Sequence, residues 1–119
     1  MSLIDELTSI YLNEETHYAQ EKKMSKEEAD RHHKIMLESG RIITVSDNNL
    51  LVGYVEFFIE HGCCFINDLF IRSAYRRTRV IWMLKRRLFE VCGKNKVYFG
   101  ERNKFNKRYA EVQLRKSEV

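Results

Sequence analysis

The chain has 119 residues, 44% of them hydrophobic and 32% charged, with five Gly, no Pro and three Cys. That composition excludes a disordered or collagen-like chain and suits one modest core, so a single domain over 1–119 is expected. The longest apolar runs are far shorter than the roughly 20 residues of a membrane span.

The start Met1-Ser2-Leu3-Ile4-Asp5-Glu6 carries acids where a signal peptide carries bases. The cysteines are odd in number, and Cys63 and Cys64 are neighbours, a poor geometry for a mutual bridge. A soluble protein of a reducing, cytoplasmic compartment is the expectation, with no membrane partner. Charge is uneven: residues 1–60 hold 6 Lys/Arg against 12 Asp/Glu, and residues 61–119 hold 15 against 5. Seven bases and no acid lie between Leu69 and Phe89, namely Arg72, Arg76, Arg77, Arg79, Lys85, Arg86 and Arg87. Such a block attracts an anion, whether a phosphorylated cofactor, nucleic acid or an acidic protein, unless it is a solvated helix face.

In chain order, Leu3, Ile4, Leu7, Ile10 and Tyr11 have helical spacing. Ser25 with Glu28 forms a capping box that opens a second helix to about Ser39, stopped by Gly40. Its buried side is expected to hold Ala29, His32 or His33, Met36 and Leu37. The period then changes. Arg41–Ser46, the turn Asp47-Asn48-Asn49 and the alternating run from Leu51 to Glu60 predict an antiparallel hairpin. His61-Gly62 turns the chain into a third strand, Cys63–Ile71, where Asn67 and Asp68 interrupt the apolar pattern and suggest a bulge.

After a connection at 74–78, Val80, Ile81, Leu84, Leu88, Val91 and Cys92 share one face of a helix whose other face is basic. Lys96–Glu101 predicts a fourth strand, Asn103–Tyr109 a helix, and Glu111–Arg115 a short last strand. The fold class is therefore mixed α/β: two N-terminal helices, a mixed central sheet and a basic crossover helix that implies a parallel strand pair.

This order, and the run Ile66-Asn67-Asp68-Leu69-Phe70-Ile71-Arg72-Ser73-Ala74-Tyr75-Arg76-Arg77-Thr78-Arg79-Val80-Ile81-Trp82-Met83-Leu84, resemble the GNAT N-acetyltransferase superfamily over roughly residues 41–110. In that family a glycine-rich turn after the third strand of this arrangement opens a helix whose N-terminus binds the pyrophosphate of acetyl-CoA. Here Arg76 fills the motif's first position, and Arg79 and Ile81 stand where the family has small residues. Arginines there offer charge-assisted, bidentate bonds in place of the close backbone approach that glycine allows. The family also usually begins with a strand and ends with a further strand pair. The chain thus resembles a short, divergent member of the kind familiar from phages and mobile elements.

The resemblance implies acetyl transfer from acetyl-CoA to an amine. Leu69, Phe70 and Ile71 would form the strand that polarises the thioester, and Arg76, Arg77, Thr78, Arg79, Val80 and Ile81 the cofactor loop. Tyr109 would be the acid that protonates the leaving thiolate, and Glu56 the base, with Asp68 as its alternative. Lys85 and Arg86 are expected to be unimportant for the cofactor.

No metal is expected. A zinc site needs about four ligands, and His61, Cys63, Cys64 and the adjacent pair His32-His33 lack the spacing. Cys92 belongs to an apolar face. A different class of function stays open beside acetyl transfer: a non-catalytic binding module that turns its basic face, with Trp82, Tyr75 and Phe105, to nucleic acid or an acidic protein, a second copy of the chain included.

Overall fold

The computed structural model describes residues 2–14, 23–102 and 107–112, with side chains described up to Phe99. Helix α1 (Leu3–Asn13) and helix α2 (Lys26–Glu38) precede strands β1 (Ile42–Asp47), β2 (Leu50–Glu60) and β3 (Cys63–Ile71). A 3-10 turn at Ser73–Tyr75 leads to helix α3 (Val80–Cys92), strand β4 (Lys96–Arg102) and strand β5 (Lys107–Val112). The strands form one five-stranded sheet in the order β1-β2-β3-β4-β5. The β3–β4 pair, which α3 connects, is parallel, and the other three pairs are antiparallel.

Helices α1 and α2 start for the same local reason. Ser2 with Asp5 and Ser25 with Glu28 each make a full capping box, which satisfies donors that a helix start otherwise leaves open. The β1–β2 hairpin turns through Asn48 and Asn49, at φ 48° and 65°. Asparagine tolerates that left-handed region better than most residues, and the paired positive angles match the twist of the flanking strands.

Two bulges shape β2 and β3. Val45 pairs with Gly53 and Ser46 with Leu51, so Val52 is an extra residue on β2. Simple alternation from Leu51 to Glu60 therefore fails at its start. Leu51 packs with Leu7, Ile10, Tyr54 and Phe70 beneath α1, whereas Val52, Val55 and Phe57 join the α3 side. Further along, Glu56 pairs with Asp68 and Phe57 with Ile66, which leaves Asn67 as an extra residue on β3, where the sequence places the bulge.

The sheet separates two unlike layers. Under α3 lie Val55, Phe57, Cys64, Leu84, Leu88, Cys92 and Val97, all of them buried. The helix sits so close that a Cβ on Gly53 would come 2.9 Å from Val80 Cγ1 and 3.2 Å from the Phe70 carbonyl oxygen. Glycine on β2 is what lets α3 rest against the strand.

The C-terminal expectation needs correction. Residues 107–109, expected in a helix, belong to β5, and Tyr109 lies opposite Gly100 on β4. So short a segment has no decisive period, and the open edge of β4 supplies main-chain partners that a lone helical turn lacks. The last strand accordingly begins at Lys107, not Glu111. Residues 103–106 of the expected helix and 113–115 of the expected strand lie outside the described residues.

Candidate active site

Strands β3 and β4 pair only from Cys63/Lys96 to Ile66/Phe99. Beyond the Asn67 bulge β3 continues to Ile71, while β4 turns to its other partner, β5. The sheet is therefore open between its two parallel strands. The Arg72 N–H donates to the Val52 carbonyl at 2.8 Å. In an antiparallel ladder main-chain groups alternate in direction, so Asp68 and Phe70 also turn theirs toward β2, and Leu69 and Ile71 turn theirs to the opening. The Ile71 carbonyl is indeed reached from outside the sheet, by Arg76 Nε at 3.0 Å.

An apolar cavity of about 290 Å³ lies between this opening and α3, lined by Val55, Ile66, Leu69, Phe99, Ile81 and Lys85 among others. Among the described residues Lys85 is the single charged group in its wall. Lys85, expected from the sequence to be unimportant for the cofactor, stands four residues after Ile81, one helical turn along the same face.

At the mouth of the cavity α3 begins without a side-chain cap. Its N-cap is Arg79, which has no acceptor to offer, and the first turn holds no acid. The first intrahelical bond runs from the Met83 N–H to the Arg79 carbonyl at 2.9 Å. Thr78 Oγ1 donates to the Tyr75 carbonyl at 2.6 Å and accepts from the Val80 N–H at 3.4 Å. Helix geometry leaves the N–H groups of Ile81 and Trp82 without carbonyl partners. With Arg76, Arg77 and Arg79 exposed around it, this terminus is a place of positive potential.

Not every expected cofactor residue turns to the cavity. Phe70 is buried on the other side of the sheet, 5.9 Å from the Tyr54 ring. Val80 is buried against β2. Val80 can offer its main chain only, and Phe70, whose main-chain groups turn to β2, offers neither side chain nor main chain to the opening.

Much of the basic block is already engaged within the chain. Arg72 Nε donates to the Leu51 carbonyl at 2.6 Å and Arg87 to the Thr44 carbonyl at 3.0 Å. Arg86 stands over the Trp82 ring at 5.3 Å and pairs with Glu90. Tyr75 donates its hydroxyl to Asp47 at 2.7 Å, and that bond to a carboxylate holds the phenol above its ordinary range.

The opposite face of the sheet, under α1 and α2, buries polar groups beside its apolar cluster. Glu56 is 1% exposed and Asp68 3% exposed. Glu56 Oε1 meets His32 Nε2 at 2.5 Å, and Glu56 Oε2 accepts from Asn67 Nδ2 at 3.1 Å. Asp68 accepts the Tyr54 hydroxyl at 2.7 Å. His33 is buried and shares a hydrogen bond of 2.9 Å with Thr8; burial drives its pKa down to about 4, which keeps it neutral near pH 7. The sequence reading treated Glu56 as a carboxylate on a strand face and could not see this network, because its members are 11 to 25 residues apart.

The thiols take no part in either face's chemistry. Cys64 and Cys92 are buried beside each other, and burial pushes both thiols up, away from the reactive thiolate. Among the described residues no three His, Cys, Asp or Glu side chains gather as a metal set, and no helix is long and apolar enough to cross a membrane.

A mixed sheet that splays between its parallel strands, with a basic helix start beside the gap, is an acetyltransferase architecture. The model of the acetyltransferase (GNAT) family matches residues 3–111, and the chain belongs to that family. Among solved structures it is similar to a putative acetyltransferase from Pyrococcus horikoshii, with a TM-score of 0.61 and 18% identity. It is also similar to an aminoglycoside 6'-N-acetyltransferase complexed with coenzyme A, with a TM-score of 0.61 and 17% identity. The matches cover 84% and 82% of this chain but only 35% and 54% of those proteins. No curated protein matches the sequence.

Proposed function

We propose that the protein transfers an acetyl group from acetyl-CoA to an amine. The observation that carries this reading is the open edge at Leu69 and Ile71, set between the apolar cavity and the uncapped start of α3. Family membership and the coenzyme A-bound neighbour support it. The residues present fit such a cofactor: a slot for a narrow, largely apolar arm, main-chain donors along one wall, and helix N–H groups with arginines for a pyrophosphate. Arg79 and Ile81 in place of small residues are accommodated by exposure, since Arg79 is exposed and Ile81 is 40% exposed.

Acetyl-CoA supplies an activated thioester. The Leu69 N–H would polarise the carbonyl oxygen of a thioester held in the slot, because a fixed donor in a water-poor site stabilises charge that develops there. Ile71 continues that open edge as main chain, and Phe70 between them holds the strand to β2. Arg76, Arg77, Thr78 and Arg79, with the N–H groups of Val80, Ile81 and Trp82, hold the phosphates, and Lys85 adds a cation one turn deeper. Glu56 supplies the carboxylate of the base, and Asp68 is its neighbour across the strand pair. Tyr109 is the acid; it sits on the strand bonded to β4, one residue past the Phe99 position where the opening begins.

Calorimetric titration with acetyl-CoA and CoA at low salt tests this reading. Binding in the micromolar range is expected, weakened about tenfold or more by Arg79→Glu and by Lys85→Glu. No heat and no thermal shift at millimolar CoA would end it.

A further inference from the structure

From the geometry on the α2 side of the sheet we infer that His32 is the group that takes the proton from the acceptor amine, with Glu56 as the buried carboxylate that orients it. This rests on the acetyl-transfer reading and refines its base. Glu56 itself is 1% exposed, and both of its oxygens are bonded, to His32 on α2 and to Asn67 on the β3 bulge. A carboxylate so enclosed does not meet a substrate directly. The His32 side chain is 20% exposed, so the imidazole is the end of the pair that reaches the surface.

The contact with Glu56 holds the imidazole in place. A carboxylate only accepts, so a neutral His32 bonded to it through Nε2 carries its proton there and its lone pair on Nδ1. In the proton step the ammonium N–H bond breaks and its electron pair stays on the amine. The proton binds His32 Nδ1, and the imidazolium is stabilised by Glu56, which stays ionised. The division of labour is that of a histidine and an orienting carboxylate in other base-assisted transfers.

Position supports the role. Glu56 pairs with Asp68, the residue before Leu69, and Asn67 belongs to the bulge at which the β3–β4 opening begins. Strands lie about 5 Å apart, so the His32–Glu56 pair stands one strand from the opening, on the face away from the cavity. A thioester entering from the α3 side meets an amine arriving from the α2 side at that gap. Among the described residues, the titratable groups that neighbour the pair or its partners are Tyr54 on β2, Asp68 on β3, Tyr11 on α1, and Asp30 and His33 on α2. The His33 ring, 5.5 Å from that of His32, is neutral by burial and adds no competing charge near pH 7.

The test uses the full chain and two readouts. Nitrogen-15 spectra of labelled histidine at pH 8, assigned with His32→Gln, should show His32 protonated on Nε2, and Glu56→Gln should weaken that preference. A His32 ring protonated on Nδ1 would overturn the inference whether or not acetyl-CoA binds. Where titration shows acetyl-CoA binding, its addition should shift the His32 signal and leave exposed His61 unmoved. An unmoved His32 signal would count against the role.

Turnover is then measured with spermidine, kanamycin A and lysine methyl ester as probe amines. Glutamine can still donate to Glu56, so His32→Gln should keep cofactor affinity and lose about 10²-fold in rate. Added imidazole should restore part of the rate of His32→Ala. A His32→Gln variant within threefold of wild type, beside an inactive Glu56→Gln, would return the role to Glu56. Failure of acetyl-CoA to bind the wild type would instead strike the acetyl-transfer reading and this inference with it, whereas the wrong tautomer would strike this inference alone.

Discussion

The two faces of the sheet differ in what they bury. The α3 face packs Val, Leu, Phe and Cys side chains, whereas the α1–α2 face buries Thr8, His33, Glu56 and Asp68 among Leu, Tyr and Phe. Apolar burial stabilises in proportion to area and is indifferent to protons. Buried polar groups stabilise little on balance, and they cost heavily when a partner is lost. A small domain that keeps such a network places it where it has other work. Here that is beside the opening in the sheet, while the dry face holds the fold together.

Substitutions and pH can break this comparison. The largest effect is expected from Leu84→Ala on the dry face, where 1% exposure leaves a cavity on truncation. Urea denaturation should show a loss of about 2–5 kcal/mol, equal at pH 5 and pH 7.5. Next comes the polar face, through His33. Its folded pKa of about 4 lies below the ordinary value of 6.5, so the unfolded chain binds the proton first. Its contribution is intact above pH 6.5 and is lost as pH falls toward 4, by up to about 3 kcal/mol. His33→Gln should flatten that part of the stability–pH curve.

Gly53→Ala follows. The new methyl meets Val80 and Leu84 on one side and main chain on the other, and overpacking of this kind costs about 1–3 kcal/mol. Because α3 must shift to admit the methyl, acetyl-CoA affinity should fall with stability. The smallest effect belongs to Ser25→Ala, which removes one capping bond from α2 for about 1 kcal/mol. Thermal melts resolve it, and the dry face should not notice.

Local chemistry made most of the fold legible. The Ser25 capping box, the Asn48-Asn49 turn and the break at Asn67 each act within a few residues, and the structure agrees with them. Of the apolar stripe of α3, Val80, Leu84, Leu88 and Cys92 are buried while Ile81 and Val91 are exposed. Residues 107–112 carry no such local signal, and there long-range pairing with β4 decided the outcome.

The site divides in the same way. The basic helix start was visible as a cluster along the chain. Val80 was legible on the apolar face of α3, whereas Phe70 was legible as a member of the run but not as a side chain turned to a core, because its facing depends on Tyr54 elsewhere. The His32–Glu56 contact joins residues 24 apart. No spacing rule connects a helix to a strand across such a distance, so a sequence shows both groups without their meeting.

Trp82 is the only tryptophan of the chain. It stands in the first turn of α3, next in sequence to Ile81 of the cavity wall and under the Arg86 guanidinium. Indole emission responds to nearby charge and to exclusion of water. The protein thus carries its own optical reporter at the point where an anion would arrive, and occupancy of that terminus can be followed by fluorescence without a label.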